Sequence, residues 1–257
     1  MKAFLFLFLV LLPALLLAGE YQQVDVKNGA TISGTVRLKG APRIVEVKVL
    51  QDHARCGNTK TSPALVLGKD NVVANAVVSL EGISSGKKFP AKLPEMDQVN
   101  CEYVPHIAMM PAGAKCHIVN SDPILHNVHS YDLAKRDAVG RPDTDFNVAL
   151  PIAGMNREVP LENPGIHQTL CDAGHPWMNG YLVVMTHPYF AVTDSNGAFT
   201  LDNVPAGTYK IKMWHEGVPA LKDGKIDFRS DPPYEVVKTV TVTAGSKAKV
   251  DFEFALR

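Results

Sequence analysis

Three side chains able to ligate a soft metal fall within eight residues, in Cys171-Asp-Ala-Gly-His175-Pro-Trp-Met178, and a fourth, His126, stands 45 positions before the cysteine with Asn127 beside it. A thiolate, two imidazoles and a thioether suit copper: His₂Cys forms a trigonal plane and a weak Met sits on its axis. The chemistry of such a donor set is one-electron exchange between Cu(I) and Cu(II). Cys171, His175 and Met178 converge from one loop, so His126 has to close the site from a strand end elsewhere. Pro176 fixes its own φ and restricts His175, which stiffens the loop. Trp177 reads as packing or shielding beside the donors.

The chain begins with Lys2 and an apolar run, Phe4 to Leu17, ending in Leu16-Leu17-Ala18-Gly19. A charged start, an apolar centre and a small-residue end describe a secretory signal over residues 1–19. The run is shorter than the roughly 20 apolar residues that span a bilayer. No cysteine follows the cleavage region and no later segment is long and apolar, so a soluble exported protein without a membrane anchor is expected, in the periplasm or outside the cell. Lys and Arg together number 26, as do Asp and Glu. That balance argues against a general nucleic-acid or anionic-membrane partner.

Four cysteines in an exported chain allow three disulfide connectivities. With Cys171 as a ligand, Cys56 and Cys101, both beside turn-like sequence, form the expected pair, and Cys116 lies in an apolar strand pattern as a buried free thiol. The competing arrangement, Cys56–Cys101 with Cys116–Cys171, would abolish the metal site.

The remaining sequence reads as strands that must hold these residues. Thr31 to Leu38 alternates, Val72 to Leu80 is rich in β-branched residues, and Val236 to Thr243 with Lys247 to Phe254 alternate around Ala244-Gly245-Ser246 as a hairpin pattern. Asp132 to Ala138 suggests a short helix. Many short strands with frequent turn residues predict an all-β protein built of sandwiches.

Thr193-Asp194-Ser-Asn-Gly197-Ala-Phe199-Thr-Leu201, continuing to Val204-Pro205-Ala-Gly207-Thr-Tyr209, resembles the carboxypeptidase regulatory-like (transthyretin-related) β-sandwich. The opening strands of that pattern stand far upstream, at Ile32-Ser-Gly34-Thr-Val36 and Asn75-Ala76-Val-Val78-Ser-Leu80. The resemblance implies a discontinuous sandwich, residues 20–87 and 188–257, interrupted by an insert at 88–187. Insertion at a loop tip is physically tolerable.

Within the insert, Pro111-Ala-Gly113, an apolar strand ending Asn120-Ser-Asp122, and His126-Asn127 resemble the plastocyanin, azurin and amicyanin (cupredoxin) family. That resemblance implies a Greek-key sandwich in which His126, Cys171, His175 and Met178 hold copper and Asn127 ties the two ligand loops together. It also implies a mononuclear electron carrier whose partners are redox proteins such as a c-type cytochrome or a dehydrogenase, met at an apolar patch around the edge of His175. The loop departs from amicyanin-like spacing by one residue, with three rather than two between Cys171 and His175. Cys-x₃-His-x₂-Met is the spacing of the second half of the binuclear copper loop in cytochrome oxidase subunit II. The second cysteine of that loop is replaced here by His167.

The other histidines, His106, His117, His129, His187 and His215, read mostly as hydrogen-bonded strand or loop residues. Met109, Met110 and Met155 read as core filling. His187-Pro-Tyr-Phe190 and Trp214-His215-Glu216 read as packing between sandwiches. Two other functions use the same residues: copper storage or delivery, and a metal-free interaction module with Cys171 in a disulfide. Catalysis has little support, since no Ser-His-Asp elbow, phosphate-cradling loop or His-Glu-x-x-His helix is present.

Overall fold

The computed structural model describes residues 20–222, 225–227 and 232–257; the expected export signal, residues 1–19, lies outside them. The protein is all-β. Its helical content among the described residues is one α-helical turn, His53–Cys56, and one 3-10 turn, Lys69–Asn71.

Two sheets enclose the candidate metal ligands. One orders Asn156–Leu161, Ala114–Asn120, Met96–Val99 and Glu102–Val104; the other orders Pro142–Leu150, His126–Arg136, Gly165–Leu170, Asn179–Met185 and Ile107–Pro111. Strand side chains alternate between faces, and in Ala114–Asn120 this sends Cys116, Ile118 and Asn120 inward. Cys116 and Ile118 meet Met96, Val128, Leu150, Val159 and Leu182 in one apolar core. Burial pushes the Cys116 thiol up to about 12, which leaves it inert at neutral pH.

The flanking segments form a second pair of sheets. Phe190–Val192, Val77–Glu81, Gly207–His215 and Tyr234–Val242 make one; Ala198–Val204 and Ala30–Lys39 make the other, extended by Lys247–Lys249 and Phe252–Ala255. Ala30–Lys39 buries every second residue, so Ala30, Ile32, Val36 and Leu38 join Phe199, Leu201, Ile211 and Phe252 in a second core. The Thr-Asp-x-x-Gly stretch has a structural role here. Asp194 Oδ1 accepts the N–H groups of Asn196 and Ala198 at 2.8 and 3.0 Å, and Gly197 turns the chain at φ 63°. Thr193 Oγ1 donates to Val73 O at 2.7 Å and accepts from Ala76 N at 2.9 Å, tying the two flanking segments together.

A third apolar cluster, Val77, Ile107, Met109, Tyr181, Val183 and Trp214, joins the two pairs of sheets. Tyr181 and Trp214 meet edge to face with centroids 5.2 Å apart. Beside them the Glu216 carboxylate takes His106 Nε2 on one oxygen and Asn179 Nδ2, at 3.3 Å, on the other. The packing role read for Trp214-His215-Glu216 is thus visible in contacts.

Two sequence expectations are corrected. Val236–Thr243 and Lys247–Phe254 are extended but do not form a hairpin: Tyr234–Val242 pairs with Gly207–His215, while Lys247–Lys249 and Phe252–Ala255 pair with Ala30–Lys39. The intervening turn is captured instead by the start of Ala30–Lys39, through Gly245 N to Asn28 O at 2.6 Å and Thr31 N to Ser246 O at 2.9 Å. Alternation reports which face is buried and is silent on the pairing partner. Asp132–Ala138 is not helical; its first half belongs to strand His126–Arg136, where Asp132 pairs with His167 and Asp143.

Burial holds His187 and His215 below the ordinary histidine value. Both therefore stay neutral in the folded state while the unfolded chain takes up protons near pH 6.5. Unfolded protein then binds more protons, and stability falls as pH falls. The urea midpoint of the metal-free protein is expected to be flat above about pH 7.5 and to drop as pH passes down through about 6.5; equal midpoints at pH 8 and 5.5 would contradict this.

Candidate metal centre

The fold brings His126, Cys171 and His175 together although 45 residues separate the first two. His126 opens strand His126–Arg136, and Cys171 directly follows Gly165–Leu170, which is hydrogen-bonded to it. The turn after Cys171 closes through Met178 N to His175 O at 2.9 Å and Cys171 N to Met178 O at 3.3 Å. His126 Nδ1 and His175 Nδ1 are 3.0 Å apart, and the Cys171 Sγ lies 4.0 and 3.6 Å from them. The centre of that triangle is about 2.1 Å from each corner, the length of a metal–imidazole or metal–thiolate bond. All three residues are buried, as is Met178 at the loop end. Cys171 is a free thiol and Cys56 is bonded to Cys101, so the arrangement that would oxidise Cys171 onto Cys116 is absent.

Asn127 joins the two halves. Its Oδ1 accepts the N–H groups of Asp172 and Ala173 at 2.7 and 3.1 Å, and its Nδ2 donates to Asn147 Oδ1 at 2.7 Å. Tyr103 OH donates to Asn127 O at 2.5 Å. The loop is therefore fixed from the neighbouring strand before any ligand arrives.

Each imidazole has a carboxylate behind it. His126 Nε2 donates to Asp122 Oδ2 at 2.9 Å, and His175 Nε2 lies 2.9 Å from Asp52 Oδ2. A ligating histidine commonly gives its other ring N–H to a carboxylate, which sets the tautomer. With each Nε2 so engaged, the two Nδ1 atoms and the sulfur face one point and could hold a metal ion. Burial lowers His126 below the ordinary histidine value, outweighing the Asp122 carboxylate, so the ring is neutral and free to bind. Burial likewise raises the Cys171 thiol, against the pull of N–H groups from Asn127, Ala173 and His175.

Asp122 is the hub of the buried support. Besides His126 it accepts Asn100 N at 2.9 Å, Cys101 N at 2.7 Å, and Arg55 Nε and Nη2 at 2.7 and 2.5 Å. Burial pushes its carboxyl up, and these donors more than reverse that, holding it below the usual range. The Cys56–Cys101 disulfide brackets the same network, since Arg55 and the two amides lie beside it.

Sequence reasoning missed Gln51 and Asp52. The expected apolar patch at the edge of His175 is not there: the ring is fully buried, with Asp52 on Nε2 and Gln51 Nε2 3.4 Å away. Gln51 also donates to Ala173 O at 2.8 Å. Gly174 makes this approach workable, because a Cβ there would lie 2.3 Å from the Gln51 side chain, and its φ is 89°. The additional loop residue thus has a structural partner. No sequence signal marks a contact more than 120 residues away.

His167 does not join the centre. Its ring lies against Asp145 and Asn163. His129 sits outside the sandwich, with Nδ1 2.5 Å from Asp172 Oδ2 and 2.8 Å from Tyr131 OH. Cys101 and Asp122 also approach His126, but the disulfide leaves Cys101 no thiolate.

The family described as polysaccharide lyase family 4, domain II, matches residues 174–250. This covers most of the second flanking segment, for which a carboxypeptidase regulatory-like match was expected. A search of curated proteins finds no match. Among solved structures, a purple cupredoxin from Nitrosopumilus maritimus is similar at 28% identity, over 32% of this chain and 81% of that one, with TM-score 0.27. Amicyanin from Paracoccus versutus is similar at 18% identity, over 38% and 86%, with TM-score 0.30. A copper-containing nitrite reductase from Thermus scotoductus is similar at 18% identity, over 38% of this chain and 24% of that one, with TM-score 0.28. These scores carry no functional weight; the donor geometry does.

Proposed function

We propose that the protein is an exported, mononuclear copper protein that carries single electrons, in which His126, Cys171, His175 and Met178 would hold the ion. The observation that carries this is the triangle of Nδ1, Nδ1 and Sγ, sized for one metal ion and buried, with both imidazoles oriented from behind. Copper held by this set supplies one-electron exchange. The chain's part is to keep the donors still: Asn127 pins the loop, Pro176 restricts His175, and Asp122 and Asp52 hold the two rings. A cage that does not rearrange keeps the cost of changing oxidation state low.

The reading as carrier rather than catalyst rests on three converging protein donors, with the buried Met178 as the fourth donor that the loop spacing offers. Exported location is supported by the signal-like residues 1–19 and by the disulfide, and no described helix is long and apolar enough to cross a membrane. The flanking sandwich, most of whose second segment matches polysaccharide lyase family 4, domain II, would serve as a non-catalytic module. With Gln51 and Asp52 over His175, the bonded route outward from Cys171 runs through Asp172 to His129 and Tyr131, whose rings stack at 4.1 Å. A redox protein such as a c-type cytochrome or a dehydrogenase would then dock on that face.

Protein-film voltammetry separates carriage from storage or delivery. A carrier gives a reversible one-electron wave that persists through repeated cycles with copper retained. Loss of the wave with release of copper on oxidation would instead assign the same residues to Cu(I) storage or delivery.

A further inference from the structure

The same sandwich holds a second cluster of ligating groups. Asp132 lies on His126–Arg136, six residues along the strand from His126, and His167 is its direct partner on Gly165–Leu170. His167 is about 13 Å along the chain from Cys171, taking 3.3 Å per strand residue, so the two clusters are separate. Asp145 completes the group by an irregularity: the pairing of His126–Arg136 with Pro142–Leu150 steps from Ser130↔Phe146 to Tyr131↔Thr144 and leaves Asp145 unpaired. A bulge of this kind re-aims a side chain, and here it delivers the Asp145 carboxylate to His167 Nδ1.

We propose that Asp132, Asp145 and His167 bind a second metal ion, a divalent first-row cation of the Zn²⁺ type, independently of the copper reading. One oxygen from each aspartate and one ring nitrogen lie within 4.8 Å of one another. Two carboxylates and an imidazole are ordinary zinc donors with bonds of about 2.0–2.2 Å. His167 and Asp132 are 2% exposed, in a sandwich interior where charge is costly unless compensated. The outer support is in place: His167 Nε2 donates to Asn163 O at 2.9 Å. This aims Nδ1 at the carboxylates, where a metal-binding histidine would place it. Ser130 Oγ donates to Asp145 Oδ2 at 3.3 Å, and Ala134 N to Asp132 Oδ1 at 2.9 Å. Lys135 Nζ, on a half-exposed side chain, is 3.3 Å from Asp132 Oδ2.

A cleft of about 230 Å³ adjoins the cluster, lined by Asp145, Pro160, Leu161, Glu162, Asn163 and His167. It supplies an entry path, and the exposed Glu162 carboxylate stands at its wall. The ion would clasp three adjacent strands and the 162–164 turn at the end of the sheet away from Cys171. It would be structural rather than redox-active, since carboxylates and one imidazole do not favour Cu(I). The competing occupant is a proton on His167 Nδ1, which would make the cluster a closed ion pair.

The test is calorimetric titration of Zn²⁺ into full-length mature protein already given one equivalent of copper. One further equivalent should bind, and Asp145→Asn and His167→Gln should each weaken it more than about 100-fold, beyond the loss of an outer-shell partner. In unaltered protein the ¹⁵N resonance of His167 Nδ1 should shift on Zn²⁺ addition while Nε2 stays protonated, a result that needs no variant to fold. No saturable Zn²⁺ uptake, uptake undiminished in both variants, or an Nδ1 resonance that remains that of a protonated ring would overturn the proposal. Failure to take up copper while the Zn²⁺ equivalent persists would sink only the copper reading.

Discussion

Cys171→Ser is expected to bind Cu(II) without the intense visible absorption of the unaltered protein and to remain folded. The band requires a thiolate on Cu(II), and of the two free thiols only Cys171 stands beside His126 and His175. Cys116 is buried in the apolar core. Serine keeps the size of the side chain, and the N–H groups that surround the sulfur would hydrogen-bond its hydroxyl as well. Molar absorptivity should fall by more than an order of magnitude, while urea unfolding of the metal-free form changes little. Retention of an intense band in this variant would show that another group supplies the charge transfer.

The second large effect is expected at Asp122. Asp122→Ala removes at once the partner of His126, the acceptor of two amides and the counter-charge of Arg55. The Arg55 side chain is 36% exposed, so the cost falls mainly on the buried donors left without an acceptor, about 1–3 kcal/mol for each. The urea midpoint of the metal-free protein should drop accordingly, and copper affinity should fall with it because His126 loses its orientation. Asp122→Asn is expected to be milder, since the amide oxygen still accepts from one amide or from His126. A midpoint shift below about 1 kcal/mol for Asp122→Ala, the range of an exposed pair, would show that the network contributes little.

The ligand loop was legible because thiolate, imidazole and thioether donors rarely fall so close together, and a four-residue step from Cys171 to His175 has few structural explanations. The role of Asn127 was legible only through family resemblance, yet the structure gives it a physical basis in the two amides it accepts. Alternation in Ala30–Lys39 identified its buried face correctly. The same signal around Gly245 suggested a hairpin where the chain passes from one sheet to the other, because periodicity encodes burial and not partner. Gln51, Asp52 and the bulge at Asp145 were invisible for a related reason. Each depends on register and long-range approach, which no local pattern carries. His167, which stands where the binuclear loop has its second cysteine, is placed by its strand against Asp132 rather than against Cys171.

The proposed electron transfer depends on Cys171, His126 and His175 holding one copper ion. The most direct measurement is the visible and EPR spectrum of mature protein after one equivalent of Cu(II). An intense thiolate-to-copper band with an EPR signal from a single copper is the predicted result. A colourless protein whose EPR shows only nitrogen and oxygen ligation, or no bound copper at all, would contradict it and leave a β-sandwich module whose buried thiol has another use.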